Sequence, residues 1–197
     1  MNVARQLGAL TLLLASCSIA WAGSLDGIVT GSSFLDGILH PWFSAEHLLA
    51  MLAIGILAVH VEKGSIIAVP IVFLTSMLAG AGLNGSGIAI PWVETWVAIS
   101  MIILGILLAV GWKYPELMLA IVVAGCGLFH GYAHGMIYRA PTLSLSLLAG
   151  LTIGCALVLA LGIWIGHWIV ASSIFSRCLG GGVILGGLIA LFFVAGT

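Results

Sequence analysis

The stretch LSLSLLAGLTIGCALVLALGIWIGHWIV, residues 143–170, contains no Asp, Glu, Lys or Arg. A helix needs about 20 consecutive apolar residues to cross a lipid bilayer, so this stretch is predicted to be a transmembrane helix. Five further apolar stretches of similar length lie at residues 37–60, 65–84, 91–111, 116–138 and 179–196. The sequence therefore predicts an all-α, polytopic membrane protein with six transmembrane helices.

The composition supports this assignment and excludes several function classes. Only 6% of the 197 residues are charged and 62% are hydrophobic, whereas soluble domains carry about 25% charged residues. The net charge of −1 gives no basic patch for nucleic acid, and no phosphate-binding Walker loop is present. No loop is long enough for a soluble domain, so residues 23–197 are predicted to form a single transmembrane domain.

Residues 1–22 are predicted to be a signal peptide. Arg5 supplies the positive charge, an apolar stretch follows at residues 7–15, and Ala-Trp-Ala at residues 20–22 fits a cleavage site. Two alternatives remain: a lipoprotein-type sequence, LASC at residues 14–17, with cleavage before Cys17, and an uncleaved anchor helix.

The positive charges predict the orientation. With the mature N-terminus outside, Lys63, Lys113 and Arg177 fall in inner loops and only Arg139 lies outside. Positive residues are enriched in cytoplasmic loops. We therefore expect a multi-pass protein of the bacterial inner membrane, with both mature termini in the periplasm.

A first histidine cluster, HPWFSAEHLLAM at residues 40–51, opens the first predicted span. His40 and His47 are seven residues apart, which predicts that they lie two turns apart on one helix face. Pro41 fits the first turn of that helix, where its missing N–H is harmless. Glu46 offers a carboxylate ligand or a partner that orients an imidazole.

A second cluster, FHGYAHG at residues 129–135, lies near the end of the fourth predicted span. His130 and His134 are four residues apart and share a helix face, which suits two imidazoles on one metal ion. The zinc-protease motif His-Glu-x-x-His would require a glutamate where this chain has Gly131, so a hydrolytic site is disfavoured. Gly127, Gly131 and Gly135 recur every four residues and predict close approach of a neighbouring helix.

Ionisable side chains inside a membrane are costly and usually mark a pathway or a site. The predicted topology brings both clusters, with Glu94 near the start of the third span, into the outer half of the bilayer. One shared metal site is the economical explanation, and its predicted ligands are His40, Glu46, His47, His130 and His134, with Glu94 assisting. At the inner end, His60, Glu62 and His167 are either exit ligands or solvated interfacial residues, and the second interpretation is favoured.

These motifs resemble the HupE/UreJ family of nickel/cobalt membrane transporters. The family pattern HPxxGxDHxxxM corresponds to residues 40–51, and FHGxAHG stands intact at residues 129–135. Val93-Glu94, Ser100 and Leu104-Gly105 are also similar to the family. The chain departs from the pattern at four positions: Ser44 replaces glycine, Glu46 replaces aspartate, Ile137 replaces an acidic residue, and Leu159 stands near an expected histidine.

The resemblance implies a permease that takes up nickel or cobalt and is not an enzyme. The ion would be cargo and no cofactor would be permanently bound, while imidazole and carboxylate ligands also suit zinc or copper. The partners implied are the metal ion, the lipid bilayer and, by family resemblance, a metalloenzyme maturation system. Two alternatives are an electron-transfer protein with a b-type haem between His47 and His134, and a metal-binding accessory subunit that does not transport.

Overall fold

The computed structural model describes residues 33–137, 144–169 and 173–196. The predicted signal peptide, the lipoprotein-type sequence at residues 14–17 and Arg139 lie outside the described residues. The described part is helical and contains no β-strand, which confirms the all-α class. Its helices are α1 (Phe34–Phe43), α2 (Ala45–Ala58), α3 (Ala68–Gly85), α4 (Val93–Val110), α5 (Glu116–Ile137), α6 (Leu145–Ile169) and α7 (Ser173–Ala195).

Five of these helices, α3 to α7, are each long and apolar enough to cross a membrane. Helices α1 and α2 together give a sixth crossing if the pair forms one span, although the chain bends by 80° between them. The protein is thus a multi-pass membrane protein.

The first predicted span is broken, and the prediction of one continuous helix carrying His40 and His47 is wrong. Pro41 lies inside α1 near its C-terminal end, not in the first turn, because a capping box between Ser33 and Asp36 starts the helix earlier. The proline has no N–H to donate to the preceding turn, which weakens the helix there. Ser44 then adopts an extended conformation (φ −96°, ψ 114°) and separates the two helices.

Helix α2 is the central helix of the bundle. Twelve of its 14 residues are buried, and all 14 except Glu46 and His47 are apolar or glycine. A helix of this kind must be surrounded by other helices, and α2 contacts α3, α4, α6 and α7. The histidine at its N-terminal end is therefore placed inside the protein and not at the lipid boundary.

Close contacts at glycine join the helices into three tight pairings. On α5, a Cβ at Gly131 would clash with the backbone of Met77 on α3, with the Met77 Cα only 2.8 Å away. Gly127 also meets the backbone of α3 at Phe73, and Gly135 meets the side chain of Asn84 on α3, which confirms the predicted close approach. The other two pairings are α4 with α7, through Gly105, Gly180 and Gly187, and α6 with α1 and α2, through Gly37, Gly55, Gly150, Gly154, Gly162 and Gly166.

Candidate metal centre

Three buried imidazoles converge where α1, α2 and α5 meet. They belong to His40 in the last turn of α1, His47 in the first turn of α2 and His134 near the end of α5. One ring nitrogen from each lies within 4.8 Å of the other two. Nitrogens at about 2.1 Å from a tetrahedral metal ion are about 3.4 Å apart, so small ring rotations would complete a three-nitrogen site.

The break at Ser44 creates this convergence. On one straight helix, His40 and His47 would be about 10 Å apart along the axis at 1.5 Å per residue. The 80° bend instead brings their ring centroids to 5.3 Å. His134 then lies 4.8 Å from His40 and 4.3 Å from His47, measured between ring centroids.

The hydrogen bonds leave nitrogens available for an ion. Nδ1 of His47 lies 2.5 Å from the hydroxyl of Ser44, so with Nδ1–H donating to that oxygen, Nε2 would be the nitrogen available to an ion. Within the part of the chain that the structure describes, Nε2 of His47 and both ring nitrogens of His134 are buried without a hydrogen-bond partner. Each such group costs about 1–3 kcal/mol of stability, and a bound cation would satisfy one nitrogen of each ring.

The other predicted ligands lie around this group of three. His130 is fully buried one turn before His134, and its ring centroid is 5.3 Å from that of His47, but it is not among the three converging residues. Glu46 is half-buried in the first turn of α2, where its carboxylate interacts favourably with the positive end of the helix dipole. Glu94 is exposed on α4. Neither carboxylate belongs to the converging set.

At the opposite end of α2, the favoured prediction that His60 is solvated is wrong. His60 is buried, not solvated, and its Nδ1 lies 3.0 Å from the carbonyl oxygen of Ile56. The segment after α2 pairs with Tyr114: the Tyr114 N–H donates to the carbonyl of His60, and the Glu62 N–H donates to the carbonyl of Tyr114, both at 2.9 Å. Glu62 and His167 are exposed, as expected for interfacial residues.

The geometry disfavours a haem between His47 and His134. A haem with two axial imidazoles needs them on opposite faces of a flat macrocycle. Here the ring centroids are 4.3 Å apart and the rings are tilted by only 32°. No macrocycle fits between them.

Sequence reasoning missed the role of Ser44, which it treated only as a departure from the family glycine. Its position three residues before His47 could have indicated this role, because at that spacing a serine hydroxyl can reach a group in the next turn. Partners that hold a ligating imidazole fix both its tautomer and its orientation.

We expect Ser44→Ala to weaken metal binding by about tenfold or more, because partners that orient a ligating histidine typically contribute 10- to 100-fold in affinity. Isothermal titration with Co²⁺ would measure the change. Ser44→Thr keeps a hydroxyl and serves as the control, which should bind nearly as well as the native chain. Equal affinities for the alanine and threonine variants would contradict the assignment.

The chain is similar to known proteins. A family model described as HupE / UreJ protein matches residues 9–190. The protein named Protein HupE from Rhizobium leguminosarum bv. viciae is 36% identical over 157 residues, which cover 78% of this chain and 81% of that relative. No solved structure shows significant similarity to the chain.

Proposed function

The chain belongs to the HupE/UreJ family, and from this premise we propose that it is a membrane permease for a divalent transition-metal ion. The observation that carries the proposal is the group of three buried imidazoles inside a bundle of apolar helices. Polar groups at such depth are expensive unless they serve a ligand or a pathway.

Nickel and cobalt are the ions we propose first, on the family resemblance. Imidazole nitrogen is a suitable ligand for nickel, cobalt, zinc and copper, whereas magnesium and calcium prefer oxygen ligands. The three converging ligands are all nitrogens. The chemistry of the site therefore favours a late transition metal, and we propose no enzymatic activity.

The proposed location is the bacterial inner membrane, with both mature termini in the periplasm. Lys63 and Lys113 flank the end of the bundle opposite the histidines, which supports an external position for the cluster. A link to metalloenzyme maturation is part of the same proposal and is supported by the family resemblance alone.

The direct test is uptake of Ni²⁺ or Co²⁺ by lipid vesicles that contain only this purified protein. We expect accumulation above that of protein-free vesicles, with saturation at rising ion concentration. Tight binding without any uptake would support the alternative of a metal-binding accessory subunit. Absence of both binding and uptake for all four candidate metals would refute the proposed function.

Glu46 provides a separate prediction within this function. Its carboxylate lies next to His47 in sequence and replaces the family's aspartate. Glu46→Gln keeps the shape but removes the charge that helps to offset an approaching dication, so uptake should fall by about tenfold or more. Glu46→Asp should keep substantial uptake in the same vesicle assay, and full activity of the glutamine variant would show that the charge has no role.

A further inference from the structure

His130 is the histidine that the three-nitrogen site leaves out. It is on α5, one turn before His134, and is therefore about 6 Å further from the C-terminal end of that helix. None of its surface is exposed. Its ring centroid lies 5.3 Å from that of His47 and 6.2 Å from that of Phe73.

The hydrogen bonds of His130 fix which nitrogen can bind an ion. A carbonyl oxygen only accepts, so Nδ1 of His130 donates to the carbonyl of Cys126, at 2.8 Å. Nε2 is then the unprotonated nitrogen. It is buried and has no hydrogen-bond partner among the residues that the structure describes. The arrangement is that of a metal-ligating histidine held by a backbone carbonyl.

His47 is close to both His40 and His130. Its ring centroid is 5.3 Å from that of His40 and 5.3 Å from that of His130. Because Ser44 engages Nδ1, only Nε2 of His47 remains for an ion. A single nitrogen lone pair binds one ion at a time, so a position that includes His40 and a position that includes His130 cannot both be filled if each uses His47.

We propose that the bundle holds two overlapping ion positions. The first position uses His40, His47 and His134, and the second uses His47 and His130, so that the ion moves from the first to the second while His47 stays bound. The inference rests on the proposed function and specifies the first step of translocation. Retaining one nitrogen during the step avoids exposing a bare dication to the apolar interior, which would cost many kcal/mol.

The test uses the full-length protein with Co²⁺ as the probe. His130→Asn is the informative variant, because the asparagine amide can still donate to the carbonyl of Cys126 while the Nε2 ligand is removed. Co²⁺ affinity and stoichiometry would be measured by titration, the ligand set by the visible absorption of bound Co²⁺, and translocation by uptake into vesicles. His130→Gln, which fills the same space, is the second variant.

We expect one Co²⁺ per native chain. Both His130 variants should bind one Co²⁺ with an affinity within about threefold of native and an unchanged absorption spectrum, since the first position is intact, while uptake falls by about tenfold or more. His40→Ala, in contrast, should weaken binding and change the spectrum.

Three results would overturn the inference and leave the proposed function standing. A His130 variant that loses binding as severely as His40→Ala would indicate one four-histidine site. Native uptake by both His130 variants would remove the second position, and two Co²⁺ ions bound per native chain would show independent sites. If the native chain neither binds nor transports Co²⁺, both this inference and the cobalt assignment fail, before any variant is compared.

Discussion

Replacing His134 by leucine should abolish metal binding and leave the protein at least as stable as before. His134 supplies one of the three converging nitrogens, and loss of a ligand should weaken binding by more than about 100-fold. Neither of its ring nitrogens has a hydrogen-bond partner among the described residues. Leucine fills a similar volume without burying unsatisfied polar atoms, each of which costs about 1–3 kcal/mol.

Titration with Ni²⁺ or Co²⁺ would measure the affinity, and thermal unfolding without metal would measure the stability. His167→Leu is the control for binding, because that histidine is exposed and outside the converging set. It should retain native affinity. A His134→Leu variant that binds metal normally would show that the convergence of imidazoles is only a feature of packing.

Gly131→Ala should destabilise the protein strongly, by about 1–3 kcal/mol or more, because the added methyl overlaps the backbone of α3. At this position a Cβ would clash with the carbonyl of Met77 and lie 2.8 Å from its Cα. Backbone atoms of a packed helix cannot rotate away as a side chain can. Helix α3 would have to shift from α5, which also carries His130 and His134.

Gly125→Ala on the same helix is the matched control, because a Cβ there meets nothing within 4 Å. Alanine has a higher helix propensity than glycine by about 1 kcal/mol, so this variant should be neutral or slightly stabilised. Unfolding midpoints in detergent would compare the two variants. Equal midpoints would mean that α3 and α5 are not held together at Gly131.

The histidine pair on α5 and the close approach of a neighbouring helix were predictable because both follow from spacing along a single regular helix. His130 and His134 share a helix face whatever the tertiary structure is. Glycine at every fourth residue leaves no side chain to keep a neighbouring helix at a distance. The family resemblance rested on the same local motifs, and the family comparison confirms it.

The break at Ser44 was not predictable from apolar periodicity. Because α1 and α2 are both hydrophobic, two helices with a bend between them give the same pattern as one continuous helix. Pro41 is compatible with a first helical turn as well as with a turn near a helix end. The capping box at Ser33 and Asp36 was the signal that would have moved the helix start.

The burial of His60 and the exposure of Glu94 depend on tertiary structure. His60 is buried beside a backbone pairing with Tyr114, a residue remote in sequence. Glu94 is at the start of α4, and its exposure follows from the rotation of that helix about its own axis. A membrane helix that is apolar all round does not specify that rotation.

The glycine contacts group the helices into closely packed sets. His40 and His47 belong to the set formed by α1, α2 and α6, whereas His134 belongs to the set formed by α3 and α5. Under the proposed function, an ion bound to all three imidazoles would join the two sets. A movement of one set against the other would change the distances between the ion and its ligands, so ion binding and helix movement would be coupled.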